Sequence, residues 1–353
     1  MAIATTTLPS PTDAVLPALE DVTSREKLHD VARKLAGIRR WLADDLGELE
    51  RALGGVSAGT DLAEKSAAYL LGHPGKRIRP LCVMLSARIG PGAEPHVVRD
   101  LAVACELVHT ATLLHDDVID EGTERRGATT ARMIYGNTAS VLGGDFLLVE
   151  ALKRVQASGP GDLVAELLEV IADMVRAEAI QLAHRGDFRP DRERYHAVVN
   201  GKTASLFHWA MRAGAVASGA RPIECEALAE AGRNLGIAFQ LIDDTLDLVG
   251  DPALVGKDLY VDLREGKLTW PLLLACERDA SLAQAIRHAV KEPSTEGLGF
   301  LVKRIVSTGC VEATQAYARE MARDASVQLA QLPPSPGREA LSAVVESAIG
   351  RTN

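Results

Sequence analysis

Leu107-Val108-His109-Thr110-Ala111-Thr112-Leu113-Leu114-His115-Asp116-Asp117-Val118-Ile119-Asp120 couples an apolar stretch to an Asp-Asp-x-x-Asp motif. Gly236-Ile237-Ala238-Phe239-Gln240-Leu241-Ile242-Asp243-Asp244-Thr245-Leu246-Asp247 does the same, 243 − 116 = 127 residues later. At about 100° per residue, Asp116 and Asp120 lie ~40° apart on a helix, with Asp117 beside them. Asp243, Asp244 and Asp247 repeat the spacing. Asp is a poor helix former, and like charges at i,i+4 repel, so such a cluster calls for a neutralising cation. Purely oxygen donors select a hard ion, Mg²⁺ before Ca²⁺. Mg²⁺ typically takes one or two carboxylates plus substrate phosphates, so the paired motifs predict a phosphorylated ligand between two helices.

The remainder of the chain fits an all-α protein. Hydrophobic residues make up 47% of the 353, charged residues 25% and aromatic residues only 4%. The first two values exclude disorder over most of the chain. The third leaves Ala, Leu, Val and Ile to build the core, which suits helices better than sheets. Leu28, Val31, Leu35, Ile38 and Leu42 begin a series of helical stripes that continues to the end. Loops break the series at Gly72-His73-Pro74-Gly75, at Gly159-Pro160-Gly161-Asp162 and at Pro333-Pro334-Ser335-Pro336. Asp191 is the expected N-cap of the stretch after Pro190. Residues 1–24 are expected to form a flexible tail, and 25–353 one large helical bundle.

A net charge of −9 (39 Lys+Arg against 48 Asp+Glu) argues against general nucleic-acid binding. Cys82, Cys105, Cys225, Cys276 and Cys310 are odd in number and form no Cys-x-x-Cys pair. Buried reduced thiols are expected, not a disulfide framework or a zinc site. No apolar run reaches the ~18 residues of a membrane span. The N-terminus lacks the basic and apolar regions of a signal peptide. It has no Arg before Arg25 and carries Asp13, Glu20 and Asp21, unlike a transit peptide. A cytoplasmic location is the expectation.

Basic groups alternate with the acidic motifs. Gly75-Lys76-Arg77-Ile78-Arg79-Pro80 places three cations in a loop or helix start, where phosphate binding is natural. Arg125-Arg126 follows the first motif, Lys202-Thr203 stands mid-chain, and Lys257 and Lys267 follow the second motif. Gln240 precedes Asp243 and Asp244 by three and four residues and shares their face. His109 lies seven residues before Asp116, two turns up the same face, which favours substrate contact over a core histidine. Arg77 reads as structural or solvent-facing.

On these residues the chain resembles the trans-isoprenyl diphosphate synthases of the polyprenyl synthetase family. The match runs through Lys76–Pro80, Leu113–Gly127, Gly143–Leu148, Glu178–Leu182, Lys202–Phe207, Phe239–Asp247 and Gly256–Leu273. The resemblance implies an isoprenoid-synthase bundle with a central apolar cavity and a likeness in activity: an allylic diphosphate ionises and isopentenyl diphosphate attacks the cation. It implies Mg²⁺ on Asp116, Asp117, Asp120, Asp243, Asp244 and Asp247. It places Arg125, Lys202, Thr203, Gln240, Lys257 and Lys267 at the allylic diphosphate. It assigns isopentenyl diphosphate to Lys76, Arg79, His109 and Arg126. Lys202, Thr203 and Gln240 would act on the reacting carbon. A homodimer is implied, without a membrane span, although a long product would be handed to the membrane. Three alternatives fit less well. A ferritin-like di-iron protein needs Glu-x-x-His pairs, and Glu106…His109 and Glu193…His196 qualify, but it leaves both aspartate motifs unexplained. A non-catalytic synthase subunit should have lost acidic or basic residues. A terpene cyclase would not need both motifs and the Gly75–Pro80 stretch.

For product length, the resemblance points to Ala111, five residues before the first Asp. Leu107, Val108 and Ala104 continue its stripe. Ala111 lies ~140° round from Asp116, so the wheel alone does not put it under the site. Small residues at 104 and 111 leave an open groove, which favours products of about seven to ten isoprene units. Geranylgeranyl or farnesyl diphosphate is the alternative.

Overall fold

Apolar stripes at helical spacing become helices throughout the computed structural model, which describes residues 29–56, 60–125, 127–250, 259–291 and 295–350. The expected tail at 1–24 lies outside them. α1 (His29–Trp41) and α2 (Ala43–Gly54) lead to α3 (Leu62–Leu71) and α4 (Ile78–Ser86). α5 (Pro95–Ile119) starts on a proline and carries the first acidic motif at its far end. A two-residue hairpin, β1 (Glu124–Arg125) against β2 (Ala128–Thr129), precedes α6 (Ala131–Tyr135), α7 (Asn137–Ser158) and α8 (Leu163–Ala183). α9 (Arg192–Val199) runs through a π turn (Asn200–Ala204) into α10 (Ser205–Ala217). α11 (Pro222–Val249) is followed by α12 (Val261–Arg264), α13 (Trp270–Arg278), α14 (Leu282–Lys291), α15 (Thr295–Val306), α16 (Cys310–Ala330) and α17 (Pro336–Ile349). The caps fall where turn chemistry puts them. Asp191 accepts from the Arg194 N–H at 2.9 Å, and Ser335 from the Arg338 N–H at 3.2 Å.

Two apolar clusters form the interior. The larger gathers Leu101, Leu107 and Leu114 of α5 with Leu81 of α4, Leu147 of α7 and Leu206 of α10. The smaller joins Leu241 and Leu246 of α11 to Leu273 of α13, Ile286 of α14 and Ile305 of α15. α11 feeds both, through Leu228 and Leu235 on one side and Leu241 and Ile242 on the other. Each fully buried Leu or Ile contributes about 1.5–3 kcal/mol, so this one helix ties the second motif to both clusters. All five cysteines are buried and unbridged.

With few aromatics to fill gaps, the helices approach closely at glycines. A Cβ on Gly232 of α11 would lie 2.4 Å from the Phe207 carbonyl oxygen, and one on Gly236 2.7 Å from Ala204 Cα. Gly144 on α7 leaves room for the His115 ring, which reaches the Val141 carbonyl at 3.1 Å. Gly201 in the π turn passes the Asp173 carbonyl of α8, where a Cβ would sit at 2.7 Å.

Gly232→Ala should therefore destabilise the fold by about 1–3 kcal/mol or more, because backbone has to move. Gly47→Ala, with nothing within 4 Å of the added methyl, should be neutral or stabilising by about 0.5–1 kcal/mol. Paired denaturant melts check both.

Candidate active site

The first motif lies at the end of α5, where Asp120 caps the helix and its N–H bonds the Asp116 carbonyl at 2.8 Å. Asp116 and Asp120 are half-buried, whereas Asp117 is only 3% exposed. Asp116 Oδ2 is 3.3 Å from Lys202 Nζ. Lys202 also bonds Glu178 and, at 3.2 Å, Gln181 Oε1, both on α8. Asp120 bonds Lys267 Nζ at 2.8 Å and the Arg185 guanidinium. Burial alone would raise the Asp120 pKa, but Lys267, Lys202 and Arg185 outweigh it and hold the carboxyl below its ordinary value. Asp117 Oδ1 accepts from Arg125 Nε at 2.9 Å and Nη2 at 2.8 Å, while its Oδ2 is buried with no hydrogen-bond partner among the described residues.

The second motif has the same letters in a different setting. Its helix continues past Asp247 to Val249. Asp243 is half-buried, and its charge is one of those that partly offset the burial lowering the Arg79 pKa. Asp244 is buried and takes three donors: the Tyr195 hydroxyl at 2.8 Å, Gln240 Nε2 at 2.8 Å and the Trp270 N–H at 3.1 Å. Burial, then the nearby Asp262 charge, push Asp244 up to about 7 against those donors. Asp247 accepts from the backbone N–H groups of Val261 and Asp262, both at 3.2 Å. The helix wheel gave both motifs one geometry. The difference arises because donors 14 to 49 residues away occupy Asp244 and Asp247.

A cavity of about 130 Å³ opens beside the motifs. Lys202, Thr203, Gln240, Asp244 and Lys267 line it, with Ile180, Val198 and Leu268 among the apolar walls. Thr203 donates to Gln240 Oε1 at 2.9 Å. The π turn brings the consecutive Lys202 and Thr203 to this one cavity. Ala104, Leu107, Val108 and Ala111 are fully buried in the larger core cluster.

The basic loop before α4 separates two roles. Arg77 sits at φ +46°, a strained backbone for a side chain. It bonds Glu50 Oε1 at 2.9 Å, Glu106 Oε1 at 2.6 Å and the Leu71 carbonyl at 3.2 Å. It is structural, and it accounts for Glu106, one of the two Glu-x-x-His glutamates. The other, Glu193, is exposed, and His196 packs against Trp270 at 5.2 Å between ring centroids. Arg79 differs. Its guanidinium lies over the Phe207 ring at 4.6 Å, and its Nε is buried with no hydrogen-bond partner among the described residues. Burial pulls its pKa down. A half-buried cation whose Nε has no partner among the described residues suits an anionic ligand. Lys76 and His109 are half-buried. Arg126 and Lys257 lie outside the described residues.

Sequence reasoning missed Glu178, Gln181, Arg185, Tyr195 and Asp262 as parts of this site. Glu178 and Gln181 stood out only through the stretch Glu178–Leu182 that carries the family resemblance, since α8 also holds Glu166, Glu169, Asp173 and Arg176. Tyr195 had only its distance of two turns from Lys202.

Among the described residues no three His, Cys, Asp or Glu side chains gather as a metal cage. The donor set nevertheless fits Mg²⁺. It is all carboxylate, Asp117 and Glu178 each keep one buried oxygen without a partner among the described residues, and diphosphate oxygens would complete the shell. Asp116, Asp120 and Asp243 are the carboxylates least enclosed by the protein.

Residues 60–300 match the family model described as polyprenyl synthetase. The chain belongs to the polyprenyl synthetase family. It is 36% identical over 330 residues to the octaprenyl diphosphate synthase of Escherichia coli, covering 92% of this chain and 98% of that one. It is 34% identical over 294 residues to the nonaprenyl diphosphate synthase of Mycobacterium tuberculosis, covering 82% and 87%. Among solved structures, a Caulobacter crescentus polyprenyl synthase complexed with calcium and isoprenyl diphosphate has a TM-score of 0.84 to it. That pair shares 34% identity over 90% of this chain and 97% of that one. No described helix is long and apolar enough to cross a membrane.

The two arginines should separate cleanly. Arg77→Met strands Glu50 and Glu106 and should destabilise the fold by about 3–5 kcal/mol. Arg79→Met should leave the ligand-free melting temperature unchanged or higher. It should raise the KM for isopentenyl diphosphate by about tenfold or more, as one charge-assisted contact of about 1.5–3 kcal/mol is lost. Thermal melts and initial rates check both variants.

Proposed function

We propose that the protein condenses isopentenyl diphosphate with an allylic prenyl diphosphate, head to tail, into an all-trans polyprenyl diphosphate. The observation that carries this reading is the meeting of both acidic motifs and their cations at one cavity: Asp116 and Asp120 on Lys202 and Lys267, and Gln240 and Asp244 in its wall. Arg125, Lys202 and Lys267 bind and orient the allylic diphosphate, with Lys257 as a further contact. Lys76, Arg79, His109 and Arg126 hold isopentenyl diphosphate. Mg²⁺, when bound to the motif carboxylates, supplies Lewis-acid stabilisation of the charge that develops as the allylic carbon–oxygen bond breaks. Thr203 and Gln240 turn oxygen dipoles toward the electron-poor carbon and carry no nucleophile able to trap it. The alkene of isopentenyl diphosphate forms the new carbon–carbon bond, and the departing diphosphate takes the proton lost afterwards.

The products are long, of about seven to ten units. The products named for the Escherichia coli and Mycobacterium tuberculosis relatives, and the alanines at 104 and 111, support this. A homodimer is the working state. Met133 and Ile134 of α6 and Val141, Leu142 and Val149 of α7 are exposed, an apolar face of the kind a second copy covers. The enzyme works in the cytoplasm, from which a long product passes to the membrane.

Labelled isopentenyl diphosphate, farnesyl diphosphate and Mg²⁺, followed by product chromatography, test the reading. Incorporation should stop on chelation and return with Mg²⁺, and Asp116→Ala or Asp243→Ala should reduce turnover by orders of magnitude in a folded protein. Full turnover by either variant at saturating Mg²⁺ would refute the metal assignment. Ala111→Phe should shorten the products to about three or four units while early condensations survive, because overpacking an apolar channel costs about 1–3 kcal/mol. An unchanged length profile from a folded, active variant removes Ala111 from the growing chain's path.

A further inference from the structure

Tyr195 projects from α9 into the wall of the cavity, yet it belongs to neither acidic motif and to none of the basic groups. Its ring packs 4.9 Å from that of Trp270, in the smaller core cluster. Its hydroxyl ends on Asp244 Oδ2, 2.8 Å away. The Trp270 N–H, one of the donors left over at the start of α13, bonds the same oxygen at 3.1 Å. Gln240 Nε2 bonds the other oxygen at 2.8 Å.

These donors have a consequence one step further in. With Asp244 ionised its oxygens only accept, and Gln240 presents its NH₂ to Oδ1. The Gln240 carbonyl then faces Thr203 and accepts from Oγ1 at 2.9 Å. Thr203 has one hydroxyl proton, and it is committed to Gln240, so the lone pairs of Oγ1 are left for the cavity. Were the amide reversed, the Thr203 proton would be released to turn toward the cavity, presenting positive charge to a developing cation. Dipoles fixed before reaction are those that stabilise charge most.

We propose that Tyr195 is a positioning residue for prenyl transfer: through Asp244 it fixes the Gln240 amide and thereby the direction of the Thr203 hydroxyl. This rests on the prenyltransferase reading above. Tyr195 touches no reacting atom. It pins the Asp244 carboxylate in the rotation that orders the chain from Asp244 through Gln240 to Thr203. The competing account is that Tyr195 only fills the core beside Trp270.

The test compares wild type, Tyr195→Phe, Gln240→Ala and the double variant, by steady-state kinetics, single-turnover rates and thermal melts. Tyr195→Phe keeps the ring and removes the hydroxyl. It should lower kcat and the single-turnover rate about tenfold or more, the loss expected when one hydrogen bond to a charged group goes. KM for both diphosphates should stay within about twofold, since transition-state and not ground-state contacts are lost. The double variant should be no slower than Gln240→Ala alone, because Tyr195 acts through that residue. Multiplying effects in the double variant would overturn the proposal. So would a Tyr195→Phe protein that melts earlier with an unchanged single-turnover rate, or one that does not fold. If wild type itself incorporates no isopentenyl diphosphate, the prenyltransferase reading fails. If wild type is active and Tyr195→Phe matches it, only the positioning role fails.

Discussion

Negative charge crowded at the ends of two buried helices is the constraint to which the rest of the molecule answers. Asp116, Asp117 and Asp120 lie at the end of α5 and Asp243, Asp244 and Asp247 near the end of α11; Asp244 lines the cavity, and Asp116 and Asp120 pair with the lysines that line it. Without compensation such a cluster would force protons onto the carboxylates or open the helix ends. The protein draws compensation from every side: Lys202 from the π turn, Lys267 from the segment before α13, Arg185 from beyond α8 and Arg125 from the hairpin. Elements distant in sequence are thereby drawn to one point.

Identical motifs need not do identical work. In each, the middle aspartate is buried by groups from other elements: Asp117 under Arg125, Asp244 under Tyr195 and Trp270. The first motif ends its helix and leaves Asp116 and Asp120 paired with Lys202, Lys267 and Arg185. The second is embedded in a longer helix, so Asp247 is captured by the backbone of the following segment.

Much of this was legible in the sequence because its physics is local. Helical periodicity, the Asp191 cap and the proline-marked loop before α17 depend on residues within a turn or two. The paired motifs and the reach of Gln240 to Asp244 follow from the helix repeat alone. What escaped was non-local. Nothing near Asp120 announces Arg185, 65 residues on, and nothing near Asp244 announces Tyr195, 49 residues back. Arg77 was readable as structural only in part, since its two glutamates come from separate helices, 27 and 29 residues away. The wheel also treats every aspartate of a motif alike, because it holds no information about what packs against the helix.

The π turn between α9 and α10 has a consequence for how the gene can change. A turn closed by one extra residue re-phases the helix after it by about 100° relative to the helix before it. Tyr195 and the π-turn pair Lys202 and Thr203 are thus matched to one wall, while Leu206, Phe207 and Trp209 are matched to another. Loss of a single codon between 200 and 204 would restore a regular helix and turn everything downstream by that angle. The reading frame would be intact, but the core would be out of step, a frameshift in three dimensions. A surface loop can absorb a gained or lost residue far more easily than this segment, whose length is what aims the two faces.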